Sequence, residues 1–283
     1  MAKKMSTQQA KQPTKQPTKQ PAKQTVKQIE RLPVLISIPH GGDGVPDELS
    51  DRICINSQDI FADIDPFTPE IYDIDPWAEE VITTDIARTF IDLNRAEDDL
   101  PPQNPDGIIK SMTCYKKPIY KQGKEPDPAL RQQLVQHYYL PYHQRLNEIL
   151  SEGKVRLGLD CHSMAASAPP ISPDAGSGTT RPLICLGNAY NKASDRGLVE
   201  KLAACFCEAF SLEEDQVAIN RPFSGGYITR TYGSSPVPWV LIDMNRALYL
   251  SSPWFNEMTG QIDNLRLMEL SDMFLNALKL FFR

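Results

Sequence analysis

No stretch of this 283-residue chain holds the roughly 18 consecutive apolar residues that a membrane-spanning helix requires, which argues against a helical membrane protein. Behind the positively charged start, Met1-Ala2-Lys3-Lys4-Met5-Ser6, no apolar segment follows, so a secretory signal is not expected and the cytosol is the expected location. The six cysteines, Cys54, Cys114, Cys161, Cys185, Cys205 and Cys207, have neither the paired spacing of a structural zinc site nor the density of a disulfide framework, and free thiols are expected. Histidine is scarce too. There are four, so imidazole chemistry must draw on a small, nameable set.

Aromatic residues are missing from residues 1–31, and apolar ones nearly so. Lys11-Gln12-Pro13-Thr14 returns as Lys15-Gln16-Pro17-Thr18 and again as Lys19-Gln20-Pro21-Ala22. Such a segment cannot bury enough surface to offset its ordering entropy, and a disordered basic tail is expected. It holds seven lysines and one arginine against one glutamate, a charge of +7, while the remainder, with 22 basic and 35 acidic side chains, is −13. An acidic body and a tail without stacking aromatics make nucleic acid an unexpected partner. A tethering role for the tail would show as salt-sensitive binding lost on deleting residues 1–31. The chain is 41% apolar overall and no linker divides residues 32–283, so they are expected to form a single α/β domain.

Six short apolar runs end in polar residues: Val34 to His40, Phe90-Ile91-Asp92-Leu93-Asn94-Arg95, Val155 to Ser163, Leu183 to Asn188, Gln216 to Arg221, and Trp239 to Arg246. Their length and their Gly, Pro, Asn and Asp boundaries favour strands. Between them, Leu198, Leu202, Cys205, Phe206, Ala209 and Phe210 recur at helical spacing, as do residues from Ile262 to Phe281. Residues 129–151 are helical in pattern, but Pro141 cannot sit in an undisturbed helix and is expected to start a second one. The alternation predicts a three-layer α/β sandwich with a mixed, mostly parallel sheet. Open sheets of this kind carry their chemistry at the carboxyl ends of the strands. Residues 98–128 and 165–182, rich in Pro, Gly and Asp, are long enough to be active-site loops.

His40 and His162 close two of the runs. A catalytic zinc site needs three protein ligands and an open position for water. Asp63, Asp65 and Glu70 are the carboxylates considered for the third. Asp65 is the best placed, because Pro66 holds its backbone extended and turns the side chain out of any helix. His137 and His143 lie among tyrosines in a helical stretch, where a polar group at the edge of a core is the ordinary reading. Arg95, Arg230 and Arg246 form a second cluster whose guanidinium forks suit a small anion. Gly225-Gly226 permits close approach of a ligand to the backbone, or simply a hairpin turn.

Taken in order, Ile38-Pro39-His40-Gly41, Asp65 with Glu70-Ile71-Tyr72, Asp92-Leu93-Asn94-Arg95, Asp160-Cys161-His162-Ser163, Asn220 through Phe223 and Gly225-Gly226-Tyr227-Ile228-Thr229-Arg230, and Asp243-Met244-Asn245-Arg246 resemble the N-formylglutamate amidohydrolase family over about residues 33–253. The resemblance implies a fold similar to the zinc carboxypeptidases and aspartoacylases. It also implies hydrolysis of N-formyl-L-glutamate to formate and glutamate. On this reading His40, Asp65 and His162 hold one Zn2+ per chain, Asp243 is the general base, Arg95 is catalytic with it, and one of the arginines, which one being left open, steadies the oxyanion. Asn94, Arg95, Asn220, Gly226, Arg230 and Arg246 contact the anionic N-acyl amino acid. In one departure, the family usually has Glu where Asp243 stands, a side chain one methylene longer. Two alternatives stay open: a catalytically silent anion-binding homologue, and an amidohydrolase of a different N-acyl amino acid.

Overall fold

The computed structural model describes residues 30–283, and the expected tail lies outside them but for its last two residues. In chain order the elements are β1 (Leu32–Ile38), α1 (Ser57–Asp63), α2 (Thr68–Tyr72), β2 (Ala78–Thr83), α3 (Pro128–Leu134), α4 (Leu140–Ser151), β3 (Leu157–Met164) and β4 (Ile184–Gly187). There follow α5 (Arg196–Phe210), β5 (Val217–Ile219), α6 (Tyr227–Tyr232), β6 (Trp239–Asn245), the short hairpin of β7 (Phe255–Asn256) and β8 (Gln261–Ile262), and α7 (Asn264–Phe281). Six strands form one sheet in the order β2-β1-β3-β6-β4-β5. The first four of that order are parallel, and β4 and β5 run the other way. The expected mixed, mostly parallel sheet is present.

Helices cover both faces. Val34, Ile36, Leu157, Leu159, Cys161, Val240, Ile242 and Met244 share a core with Phe206 of α5, Tyr72 of α2 and Phe274 of α7. Leu35 and Trp239, on the opposite face, pack with Leu134 of α3, Leu146 of α4 and Ile228 of α6. Strands buried on both faces have no need of a polar alternation, hence the continuous apolar runs. Towards the carboxyl edge the second face turns polar: Ser37, Asp160, His162, Asp243 and Asn245 are all buried there. Beneath that polar stripe Gly158 is obligatory, because a Cβ on it would lie 2.1 Å from the Trp239 indole.

Pro141 does sit in the first turn of a new helix, α4, and a single π turn, Val135–Tyr139, joins it to α3. The wider turn accommodates the missing N–H and the bulk of the pyrrolidine ring. Two expectations are corrected. Phe90–Arg95 is a loop rather than a strand, though Phe90 and Leu93 are buried. Because β4 is antiparallel to β6, the ends of the Leu183–Asn188 and Gln216–Arg221 runs leave the sheet away from the edge that carries His162 and Asp243.

Candidate active site

His40 follows β1, His162 lies near the end of β3, and Asp65 occupies the turn between α1 and α2. A capping box starts α1, with Asp59 N donating to Asn56 Oδ1 and Asn56 N to Asp59 Oδ2. The helix stops at Asp63 because Ile64 is already extended ahead of the Asp65-Pro66 step. Three atoms converge: His162 Nδ1 is 3.0 Å from His40 Nδ1 and 3.1 Å from Asp65 Oδ2, and His40 Nδ1 is 3.5 Å from that oxygen.

The other ring nitrogens are taken. His40 Nε2 lies 2.7 Å from Asp92 Oδ1, and His162 Nε2 lies 2.8 Å from Asp160 Oδ1. Asp92 is itself held by Arg88, and Asp160 by Thr229 and Asn94. A carboxylate on each Nε2–H fixes the tautomer that leaves Nδ1 as a lone pair. Two lone pairs and a carboxylate oxygen pointing at one spot call for a cation, and this donor set fits zinc. Asp65 Oδ1 accepts from Arg246 Nη2 at 2.9 Å, and Ser163 N donates to Oδ2. Burial works against ionisation of Asp65, but His162, His40 and Arg246 outweigh it and hold its carboxyl well below the usual range. Burial likewise favours a neutral His162, yet Asp160 and Asp65 drive its pKa well above 6.5, a measure of how strongly the pocket attracts positive charge.

Asp243 is the register partner of His162 on the neighbouring parallel strand, so the two side chains stand on one face. Burial pushes its carboxyl up to about 7, against the opposing effect of His162 and with help from Asp65 and Asp160. Of the carboxylates lining the cleft, Asp63, Asp65 and Asp106 are ion-paired, and Asp243 forms no ion pair among the described residues. The cleft has a volume of about 580 Å³.

Five arginines line it: Arg88, Arg95, Arg181, Arg230 and Arg246. Arg88 pairs with Asp92, Arg95 with Asp106, Arg181 with Asp174 and Arg246 with Asp65. Arg230 is exposed and has no carboxylate partner among the described residues; its nearest polar contact is Ser224 Oγ at 3.4 Å. Arg246 also donates to Ser163 Oγ and the Ala62 and Ile64 carbonyls, so its donors are spent on Asp65, the turn before it and Ser163. Asn94 binds Asp160 through Nδ2 and accepts from Ile228 N through Oδ1 at 2.7 Å. A Cβ on Gly226 would come within 2.4 Å of Asn94, so glycine is required there by close packing. Asn220 is not among the cleft-lining residues; it exchanges hydrogen bonds with Asn188.

Sequence reasoning missed Arg88 and Arg181. Arg88 sits in a loop without periodicity, and its only signal is the i, i+4 spacing to Asp92. Arg181 ends the Pro-rich segment 165–182, and its grip on Asp174, Ser172 and the Ala165 carbonyl closes that loop against the cleft.

His137 is exposed beside Glu48, and neither it nor His143 joins the cluster. His143 is 8% exposed; its Nε2–H donates to the Leu93 carbonyl and its Nδ1 accepts from the Tyr232 hydroxyl. Burial pushes its pKa from 6.5 down to about 4. The folded value lies below the unfolded one, so protons favour the unfolded chain. This residue's share of the stability is fully present above about pH 6.5 and is lost as pH drops towards 4, by about 2 kcal/mol at pH 5. Urea unfolding at pH 7 and pH 5 should show a larger loss for the wild type than for His143→Gln. Equal losses would assign the acid sensitivity to other groups.

Residues 32–250 match the family described as N-formylglutamate amidohydrolase. An N-formylglutamate deformylase of Pseudomonas putida is 30% identical over 215 residues, 72% of this chain and 75% of that protein. One from Pseudomonas aeruginosa is 29% identical over 217 residues, 72% of this chain and 76% of that protein. The crystal structure of an N-formylglutamate amidohydrolase from Ralstonia eutropha JMP134 superposes with a TM-score of 0.73 at 23% identity, covering 89% of this chain and 93% of that one. The order of motifs, the family match and the superposed fold agree: this chain belongs to the N-formylglutamate amidohydrolase family.

Proposed function

We propose that this protein hydrolyses the amide bond of an N-acylated acidic amino acid, N-formyl-L-glutamate first among them, to release formate and L-glutamate. The observation that carries this reading is the convergence of His40 Nδ1, His162 Nδ1 and Asp65 Oδ2 beside Asp243 in an arginine-lined cleft. The names of the Pseudomonas relatives support the choice of substrate.

His40, Asp65 and His162 would hold one Zn2+, which when bound lowers the pKa of water and polarises an amide carbonyl. Asp92 and Asp160 fix the ring orientations, and Arg246 fixes Asp65. Asp243 accepts the proton of the attacking water and returns it to the leaving nitrogen; a carboxyl at about 7 is matched to taking and giving a proton near neutrality. Arg95, backed by Asp106, and Arg88, backed by Asp92, have donors to spare for the developing oxyanion. Arg230 is the carboxylate anchor, because its charge is not already neutralised.

Formate or acyl release should be screened over N-formyl, N-acetyl and N-succinyl acidic amino acids, with metal analysis of the same sample. Turnover of an N-formyl substrate by a metal-loaded chain is the expected result. Stoichiometric metal with no turnover would favour the silent anion-binding reading, to which the short Asp243 side chain lends itself. Arg230→Ala should raise KM roughly tenfold with kcat little changed, the pattern of a lost ground-state contact to a charged group. A fall in kcat at constant KM would move Arg230 to the oxyanion.

A further inference from the structure

Ala189, Tyr190 and Asn191 are three consecutive non-glycine residues in the left-handed region, at φ of 52°, 54° and 67°. Single residues visit this region at a cost, and a run of three persists only where the surroundings over-determine it. Asn188 supplies that constraint. It is fully buried; its Nδ2 donates to Asn191 Oδ1 and the Ser194 carbonyl, its Oδ1 accepts from Asn191 N and Asn220 Nδ2, and its own N–H donates to Asn220 Oδ1. All four side-chain positions of an amide are thus filled.

What this rigid turn displays is Tyr190. The side chain lines the cleft yet is 68% exposed, so the ring contributes little to the core that its strained backbone could serve. The turn is also tied to the wall that carries Arg230. Ala189 N donates to the Ser224 carbonyl at 2.6 Å, and Arg230 Nη2 approaches Ser224 Oγ at 3.4 Å. Gly187 allows this packing, since a Cβ there would meet Ser224 at 2.6 Å.

We propose that Tyr190 is a specificity-determining residue, the outer wall of the subsite in which Arg230 holds a substrate carboxylate. Its hydroxyl donates to that carboxylate and its ring covers the aliphatic part of the amino acid. Asn188 and Asn220 are positioning residues that act through it. The inference rests on the proposed amidohydrolase reading for the identity of the ligand, and it gives Asn220 a role through Asn188 although Asn220 does not line the cleft.

The test is calorimetric binding of L-glutamate and L-leucine to the full, metal-loaded chain, with kinetics on N-formyl-L-glutamate. Tyr190→Ala should weaken glutamate binding roughly tenfold, the scale of a hydrogen bond to a charged group. It should also narrow the preference for glutamate over leucine and raise KM more than it lowers kcat. Tyr190→Phe, which keeps the ring, should fall between. Tyr190→Gly should raise Tm while weakening binding, because it relieves the left-handed backbone; a purely structural tyrosine would lower Tm instead. Asn220→Asp should weaken glutamate binding in the wild type and add nothing to Tyr190→Ala. Unchanged affinity in Tyr190→Ala, with wild-type turnover intact, would overturn this inference alone. Glutamate binding that depends on Tyr190, without turnover, would overturn only the hydrolytic reading, and a wild type that binds no acidic amino acid would overturn both.

Discussion

His162→Ala is expected to abolish stoichiometric metal and turnover together while leaving the domain folded. His162 is one of three groups whose ligand atoms lie within 4.8 Å of one another, and its Nδ1 is the atom nearest both others. Two ligands, His40 and Asp65, cannot complete the set a catalytic zinc needs. Loss of metal should therefore exceed the roughly 10- to 100-fold drop in affinity that follows from altering a group behind a ligand. Asp160→Asn should show that smaller drop, because the His162 ring keeps its place while losing the partner that fixes its tautomer. The backbone should tolerate both changes, since β3 is paired with β1 over Leu157–Asp160 and with β6 over Gly158–Met164. Elemental analysis and activity on one preparation decide the matter, with circular dichroism as the folding control. Full metal occupancy in His162→Ala would take His162 out of the site, and the graded behaviour of Asp160→Asn separates a ligand effect from general damage.

The centre of this fold was legible because short apolar runs ending in polar residues mark buried strands whose carboxyl ends carry chemistry. The run from Val155 to His162 reads as a strand end, and within β3 the structure puts Leu157, Leu159 and Cys161 in one core and turns Gly158, Asp160 and His162 to the other side. Asp65 was legible through Pro66, a local backbone constraint. What could not be read was anything set by strand direction or by a partner distant in sequence. Nothing in Leu183–Asn188 says that β4 runs antiparallel to β6, and nothing near Asn220, which the resemblance puts at the substrate, says that its bonds run to Asn188. Arg246 looked like an anion binder, and only the fold brings Asp65, 181 residues away, to its guanidinium. The arginines differ in function through their neighbours. Four of the five in the cleft are already neutralised, and no sequence pattern distinguishes them from Arg230.

Asp243→Asn should keep metal and substrate affinity and lower kcat by roughly 10²-fold or more, the loss expected when acid–base assistance disappears. The amide is nearly isosteric, so β6 and its pairing with β3 should be undisturbed, and a loss confined to kcat would point to proton transfer. The assignment rests on elimination as well as position. Asp63 is held by Lys110, Thr89 and the Cys114 N–H, and Asp160 by His162, Thr229 and Asn94. Neither is free to exchange a proton with substrate, whereas Asp243 lines the cleft without an ion pair among the described residues and with its carboxyl pushed up to about 7. Asp243→Glu is the sharper experiment, because it extends the carboxylate by one methylene, to the length the family resemblance leads one to expect. Faster turnover of N-formyl-L-glutamate would mean that the aspartate works at a longer reach on that substrate. Slower turnover, with Asp243→Asn still inactive, would mean that the cleft is built around the shorter base and a different acyl group. Undiminished kcat in Asp243→Asn would defeat the assignment. The proton would then have to pass through a carboxylate already committed to Lys110 or His162, and Lys110→Met and Asp160→Asn would be the variants that expose it.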